Sequence, residues 1–561
     1  MKKKLLPAFI FIGILITFLF SAVTVKAQLD SAVTDNPVRP PSPSWVDHAV
    51  FYEIYPQTFY DSNGDGVGDL KGIIMKLDYL RSVGVNALWL NPFYESPFRD
   101  AGYDVSDYYK VAKRYGTNDD AKELFAEAHK RGFHIIIDYV PGHTSIDHPW
   151  FQASASGVKN KYSNWYIWTN GTWDYYDKCK FNFIQGYGER DADYLPNFFW
   201  HQPALNYGFA NPDPKQPWQL SVNNPDVMAL KAEMQNVMKF WLDMGCDGFR
   251  VDMAGSLVKE DSTGECGKYW QTIRTMLNKE YPEAFMVSEW SDPKSAIPAG
   301  FNADFFHWFK GFDDLFTYFD PSGKGDLSHF MSIYIDQYNA VKDKGYVAIT
   351  MANHDLPRLR QNGREPKDVE IILAFEMCMP GVPFIYYGDE IGMKQLYGLP
   401  AIEGSYGSRA GGRTPMQWDN SKNDGFSTAP AAQLYRAVDT SADAPNVAAE
   451  EKQANSLLQH VKKLVALREN EPALSSYAGF NEIYLEQQKY PFVFLRSMRK
   501  QRILVALNPS PEETKIDFTL KYKSKKPVSL AGDGVLSKKV NNYSLTLPGR
   551  SYGIYRVDAV N

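Results

Sequence analysis

From residue 45 onward, short apolar runs recur between longer stretches whose apolar positions repeat every three to four residues. The runs are Ala49 to Gln57, Ala87 to Leu90, Ile135 to Asp138, Phe249 to Asp252, Phe285 to Glu289, Ala303 to Phe306, Val347 to Met351 and Phe384 to Tyr387. They read as eight strands, with helices such as Asp119 to Arg131 and Pro225 to Met244 between them. Strand and helix alternating eight times predicts an α/β fold, a (β/α)8 TIM barrel with its active site at the C-terminal ends of the strands. Between His143 and about Val222 the periodicity lapses and Trp, Tyr, Asn and Pro accumulate, which predicts an irregular domain inserted after the third strand. From about Ser476 the pattern alternates, as in Arg502 to Leu507 and Tyr543 to Leu547, predicting a C-terminal antiparallel β-domain. The expected divisions are 45–143 and 223–475 for the barrel, 144–222 for the insert and 476–561 for a C-terminal β-sandwich.

The N-terminus is organised differently. Met1-Lys2-Lys3-Lys4 precedes an apolar run from Leu5 to Val25 and the small-residue pattern Val25-Lys26-Ala27. Residues 1–27 therefore read as a signal peptide, which makes the protein secreted or periplasmic. Only an uncleaved run would make membrane contact, as an anchor. Residues 28–44, with Pro37, Pro40, Pro41 and Pro43, read as a linker. The net charge of -6 with dispersed basic residues argues against nucleic acid as a partner. Four widely separated cysteines, Cys179, Cys246, Cys266 and Cys378, indicate neither a zinc site nor a dense disulfide framework. The aromatic content of 15% suits stacking on sugar faces and equally suits a large core.

Chemistry gathers where the runs end. In an extended Gly248-Phe249-Arg250-Val251-Asp252, Phe249 and Val251 share one face and Arg250 and Asp252 the other. A buried carboxylate beside a fixed guanidinium stays ionised, although an isolated Arg-x-Asp is more often a structural pair. Here three further polar clusters fall at expected strand ends: Asp138 to His143, Glu289, and Asn353-His354-Asp355. Three carboxylates at one barrel mouth repel, which prepares an acid beside a base.

The segments DYVPGH, GFRVD, SEW and ANHD, in this order, resemble the conserved regions of the α-amylase family of glycoside hydrolases. GVNALWLNPFYESP, GYDVSDYY, GVPFIYYGDEIGM and GGRTPMQWD are similar to its α-glucosidase, oligo-1,6-glucosidase and trehalose synthase branch. The resemblance implies Asp252 as nucleophile, Glu289 as general acid and base, and Asp355 as the third carboxylate, gripping sugar hydroxyls. It implies that Arg250 keeps Asp252 ionised, that His143 and His354 donate to sugar hydroxyls, and that Tyr103 stacks on the sugar face. In the resembling exo-acting enzymes the positions of Asp104 and Arg413 form a salt bridge closing the pocket. A retaining glycosidase uses its two carboxyl groups in turn, one as nucleophile and one as acid then base.

Asp61 to Asp69 (DSNGDGVGD) places oxygen side chains at alternate positions between glycines, a spacing that suits a hard cation, but Gly72 at the twelfth position excludes an EF-hand. The resembling branch carries calcium here, implying a structural Ca2+ with Asp61, Asn63, Asp65, Asp69 and the Val67 carbonyl as ligands. Three departures weigh against a starch-liquefying enzyme. Gly142 stands where many α-amylases have a calcium-binding Asn, Ala204 replaces the Asp of QPDLN, and Gly255-Ser256 stand where endo-acting members have Lys and His. The expected function is a retaining α-glucoside hydrolase, exo-acting on α-glucan oligosaccharides. The alternatives are an endo-acting α-amylase or cyclomaltodextrinase, a transglycosylase such as trehalose synthase, and an inert carbohydrate-binding or transporter-associated scaffold.

Overall fold

The structure is a computed structural model that describes residues 36–173, 181–307 and 311–560. The expected signal peptide, the first part of the linker and Cys179 lie outside the described residues. Eight parallel strands form one sheet: β1 Phe51–Ile54, β2 Ala87–Leu90, β3 His134–Tyr139, β4 Gly248–Val251, β5 Phe285–Ser288, β6 Ala303–Phe305, β7 Tyr346–Ala348 and β8 Phe384–Tyr386. Their order, β8-β1-β2-β3-β4-β5-β6-β7, wraps a nearly closed barrel. Each strand of four residues is buried on both faces, so hydrophobic content alone cannot assign its sides.

Alternation assigns them instead. Phe51, Ala87, Trp89, Ile136, Phe285, Val287, Ala303, Phe305, Tyr346, Ala348 and Phe384 form one cluster, the filling of the barrel. Phe51 stacks on Phe384 at 4.5 Å and on Phe285 at 5.5 Å. The partners one residue along, such as Tyr52, Leu88, Phe249 and Val251, belong to the outer core that the helices cover. Arg250 thus shares the inward phase with Glu53 and Asp138, one layer above the apolar filling. Gly248 opens β4 at φ 145°, and a β-carbon there would lie 1.9 Å from the Phe285 carbonyl oxygen, so only glycine lets β4 approach β5 this closely.

The expected linker ends in packed structure. Pro40 and Pro43 are buried, Arg39 pairs with Asp47 at 2.8 Å, and the turn Ser44–His48 inserts Val46 into the barrel filling. Trp45 stacks on His134 at 4.2 Å, closing the end of the barrel opposite the strand C-termini.

Helix ends follow local chemistry. Pro225–Met244 starts with the Asn224 side chain accepting from Asp226 N–H, carries Pro at its first position and stops at Gly245 in the left-handed region. Asn118–Lys130 begins with a capping box between Thr117 and Asp120. Among the described residues no helix is long and apolar enough to cross a membrane.

Between β3 and β4 the chain is irregular, tied by single bridges such as His143 to Ala204 and Tyr166 to Leu205. Its small core contains Ile167, Leu195, Ala204, Phe209 and Trp218, so the residue replacing the family's Asp is an apolar packing group. After the last helix, Leu457–Asn470, a five-stranded antiparallel sheet faces a three-stranded one across Val493, Leu495, Leu504, Tyr543, Leu545 and Tyr555. Arg496, fully buried, donates to the carbonyls of Cys378, Ser475 and Ala478 and joins this unit to the barrel.

Candidate active site

The site is built around one guanidinium. Arg250 projects into the barrel from β4; its Nη1 donates to Asp138 at 2.6 Å and Asp252 at 2.9 Å, and its Nη2 lies 2.8 Å from Glu289. The ladder continues past the strand ends, with Asp252 N–H on the Tyr139 carbonyl and Glu289 N–H on the Val251 carbonyl, both at 2.9 Å. That register delivers Asp252 and Glu289 to neighbouring positions on the same guanidinium. Met253 follows in the left-handed region, φ 45°, and its N–H donates to Glu289 Oε2 at 3.2 Å. Asp355 sits opposite, its Oδ1 accepting from Arg413 Nη2 at 2.8 Å and paired with Arg409 Nε at 3.0 Å. The Asn353 side chain accepts from the N–H groups of Asp355 and Leu356, holding that turn.

These groups surround a cavity of about 290 Å³ lined by Asp100, Tyr103, His143, Phe198, Asp252, Met253, Glu289, Asp355, Arg409 and Arg413. All three carboxylates expected from the sequence therefore meet in one place, close to the lower end of the size range of small-molecule sites.

Charge within the site departs from the expectation. Burial pushes the Asp252 carboxyl well above the usual range, and Glu289, Asp138 and Asp355 push the same way against Arg250. Glu289 is buried too, yet Arg250, His307 and the Met253 N–H hold it well below its usual value. The reason is that one guanidinium is shared among three carboxylates and its second nitrogen serves Glu289. Asp252 and Glu289 share Arg250 and so titrate as a pair rather than singly. Asp355 lies low, at about 2, because His354, Arg409 and Arg413 outweigh its burial.

The auxiliary residues divide. Tyr103 faces the cavity, its hydroxyl 3.1 Å from Asp138 and 2.7 Å from His354 Nε2, with its ring parallel to His354 at 5.4 Å. His354 is tucked behind it, Nδ1 against Glu53 at 2.6 Å, and does not line the cavity. His143 lines the cavity, but its Nε2–H donates to the Tyr103 carbonyl at 3.1 Å and its Nδ1 accepts from Asn197 at 3.0 Å. Burial lowers it to about 3, so the ring is neutral with both nitrogens engaged, rather than free to donate to a sugar. Asn197 also fills the space beside Gly142, where a β-carbon would lie 2.9 Å from its amide nitrogen.

The expected Asp104–Arg413 bridge does not form. The loop before Asp104, with Phe98 and Ala101 in the left-handed region, folds back on its carboxylate. Asp104 accepts from Ser96 Oγ and from the Arg99 and Asp100 N–H groups, each at 3.0 Å, and burial raises it to about 6. Arg413 goes to Asp355, the His354 carbonyl and Ser405. Asp100 lines the cavity in place of Asp104, accepting from Gln202 at 2.7 Å with Arg409 at 4.0 Å.

Sequence reasoning missed Glu53, Asp100, Asn197, Phe198, Met253, His307 and Arg409. A charged residue inside the apolar run AVFYEIYPQ was a signal for Glu53; Met253 and His307 follow strand ends, Arg409 lies on the short helix Ser408–Gly412, and Asp100, Asn197 and Phe198 lie in irregular loops.

In the Asp61 to Asp69 loop, Asp61 accepts from the N–H groups of Asn63, Gly64 and Gly66, Asn63 from Asp65 N–H, and Asp65 from Val67 N–H. Asp69 accepts from Ser62 and caps the helix Leu70–Val83 through Gly72 N–H. Among the described residues no group of three or more His, Cys, Asp or Glu is clustered for a metal ion. Two features suit a hard cation. Asp61 and Asp69 are both buried, and Asp69 is raised by burial first and by Asp61 among the smaller causes.

Residues 53–477 match the family described as alpha amylase, catalytic domain, and residues 483–554 match the maltogenic amylase C-terminal domain. A trehalose synthase/amylase of Mycolicibacterium smegmatis is 32% identical over 506 residues, covering 78% of each chain. An oligo-1,6-glucosidase of Parageobacillus thermoglucosidasius is 31% identical, covering 83% of this chain and 90% of that one. An α-glucosidase of Apis mellifera is 32% identical, covering 89% and 91%. Among solved structures, a mutant isomaltulose synthase from Erwinia rhapontici in complex with D-glucose superposes with a TM-score of 0.77 at 25% identity, covering 92% of this chain and 99% of that one. With a nearly closed barrel, three carboxylates at its mouth and these matches, the chain belongs to the α-amylase family of glycoside hydrolases and transglycosylases.

Proposed function

We propose that the protein is a retaining, exo-acting α-glucosidase that removes glucose from the non-reducing ends of α-glucan oligosaccharides. The observation that carries this is a small cavity holding Asp252 and Glu289 on one guanidinium and walled by Asp355, Asp100, Arg409 and Arg413. Such a cavity admits one sugar ring and stops the chain behind it. Asp252 attacks the anomeric carbon as Glu289 protonates the leaving oxygen, giving a glucosyl ester; Glu289 then takes a proton from water, which displaces Asp252. The reactive state has the proton on Glu289 and the charge on Asp252. The fixed arginines on Asp355 keep that carboxylate an acceptor for sugar hydroxyls throughout.

Product analysis on maltotetraose, isomaltose, maltose and cyclodextrins tests the proposal. Glucose as the sole early product is expected; mixed oligosaccharides reject exo action. Transglycosylation is the second reading, favoured by relatives named trehalose synthase and isomaltulose synthase. A new disaccharide formed from maltose in the same panel would establish it.

The proposal includes a structural calcium ion held by Asp61, Asn63, Asp65, Asp69 and the Val67 carbonyl. A divalent charge there would offset the two buried carboxylates and tie the loop to Ser427, which donates to Asp61. Chelation should lower Tm, and an unchanged melting curve after verified metal removal would discard the ion. It also includes export, which a mature N-terminus at Gln28 would support and a retained Met1 would reject.

A further inference from the structure

Basic residues from separate stretches of the C-terminal domain gather at one of its ends. The turn between the strands Phe492–Met498 and Gln501–Asn508 carries Arg499 and Lys500, both exposed. The Lys500 carbonyl accepts from Ala559 N–H at 3.2 Å; Val560 N–H donates to the Lys523 carbonyl and Lys525 N–H to the Asp558 carbonyl, both at 2.8 Å. The segment from Lys521 to Lys526, which holds four exposed lysines, is thereby laid beside that turn. Lys538 donates to the Ser524 carbonyl and brings the exposed Lys539 alongside. Residues 499–502, 521–526, 538–541 and 557–560 hold one acidic residue, Asp558, against nine basic ones, in a chain of net charge -6. Among the described residues Lys523, Lys525, Lys526 and Lys539 have no carboxylate in ion-pair range. Beside Lys539, Val540 is held in the left-handed region, φ 58°, a costly conformation for a β-branched residue, and is 86% exposed.

This end lies on the side of the barrel where the chain enters. Gln501, in the same hairpin as Arg499 and Lys500, accepts from Ala473 N–H at 2.7 Å. Ser476, three residues on, donates its N–H to the Asp47 carbonyl at 2.8 Å and its hydroxyl to the Val46 carbonyl at 2.9 Å. Val46 belongs to the barrel filling at the end opposite the strand C-termini. The basic end and residues 36–48 therefore share one side of the molecule, while Asp252 and Glu289 open on the other. The sequence that leads into this side is Met1-Lys2-Lys3-Lys4 and the apolar run from Leu5 to Val25.

We propose that the basic end of the C-terminal domain docks on an anionic phospholipid bilayer, with the reactive cavity facing away from it. Clusters of four to eight basic side chains suit such a surface, because each gains from the field of the headgroups without a fixed geometry. Lysine, a point charge on a flexible stem, suits it better than the planar fork of arginine, and all but one of the surface cations here are lysines. A protein partner fits poorly, since lysine is depleted at protein interfaces and only isolated valines accompany it here. The apolar run of the N-terminus adds a second pointer, as it addresses a bilayer from the same side. Docking through the basic end is a route to the membrane that does not need that run to stay attached, and it does not depend on the glucosidase reading.

Co-sedimentation with vesicles tests this on the chain from Gln28, which contains every described residue and lacks the apolar run. Vesicles of phosphatidylglycerol and phosphatidylcholine in equal parts should bind it at least tenfold more tightly than pure phosphatidylcholine, and raising the salt from about 50 to about 500 mM should release it. One lysine near an anionic surface is worth about fivefold in partitioning. Lys523→Glu, Lys525→Glu, Lys526→Glu and Lys539→Glu together should therefore weaken binding at least a hundredfold, with the melting curve and turnover on p-nitrophenyl α-glucoside unchanged, whereas arginine at the same four positions should retain it. Equal partitioning into the two kinds of vesicle, no binding to either, or a glutamate variant that binds like wild type would overturn the proposal. Tighter binding to polyphosphate, a soluble polyanion, than to the vesicles would overturn the bilayer as the partner.

Discussion

Arg250 is the group whose removal tests the electrostatics most severely. It is 2% exposed and touches Asp138, Asp252 and Glu289 at 2.6, 2.9 and 2.8 Å. At an effective dielectric constant of about 20, a unit charge at 4 Å is worth about 4 kcal/mol, or about three pH units of carboxyl titration. Arg250→Met leaves three buried carboxylates facing one another without their cation, so they take up protons. Asp252, already raised by burial, should be raised further. The nucleophile must be ionised, so the acid limb of the kcat/KM profile on p-nitrophenyl α-glucoside should move to higher pH, by about one to three units. Turnover at pH 6 should fall by about a thousandfold or more, and the fold should lose about 3–5 kcal/mol, the usual cost of orphaning a buried charge. Arg250→Lys should recover little, because one ammonium cannot serve three carboxylates from a planar fork. A Met variant with an unmoved acid limb and activity within tenfold of wild type would refute the reasoning.

Other perturbations separate positioning from chemistry. Glu289→Gln should cut turnover on maltose by several orders of magnitude with an unchanged melting curve; near-normal turnover would remove it as the acid. Asp304 is fully buried on β6, accepts from Ser288 Oγ at 2.6 Å and Trp290 N–H at 3.1 Å, and is pushed up to about 8 by burial. Between about pH 4 and pH 8 the folded state holds this proton and the unfolded state does not, so stability falls as pH rises. Asp304→Asn should therefore gain stability over wild type from pH 5 to pH 8, by up to about 4 kcal/mol, and a pH-independent difference in denaturant melts would contradict this. A β-carbon at Gly255 would lie 2.5 Å from Trp290 Nε1. Gly255→Ala should displace that indole and cost about 1–3 kcal/mol, visible as a changed tryptophan emission; unchanged emission and stability would rule the contact out.

The barrel was legible because its signals are local and repeated. The apolar runs ending in Arg250, Asp252 and Glu289 carry their own phase, and Pro225–Met244 is bounded in sequence by Asn224, Pro225 and Gly245, whose backbone preferences act within a turn. The inward direction of Arg250 followed from alternation alone. What was not legible depends on loops that meet only in three dimensions. Asp104 sits beside Tyr103 in a motif implying a bridge to Arg413, yet three local donors between Ser96 and Asp100 capture its carboxylate first. His143 likewise falls at the cavity, but Asn197, 54 residues away in the irregular insert, takes the nitrogen a sugar would have used. The sharing of Arg250 was hidden because Arg-x-Asp suggests a pair, whereas in the folded site Arg250 serves a second and third partner, Asp138 and Glu289.

Trapping the covalent intermediate tests the central claim most directly. A 5-fluoro-α-glucosyl fluoride forms the enzyme ester faster than the ester is hydrolysed, so intact-protein mass should rise by one fluoroglucosyl group with loss of activity. Peptide mapping should place that group on Asp252, with the Asp252→Asn variant unlabelled. A label on Glu289 or any other residue, or full turnover of the reagent with no labelled species, would contradict the account.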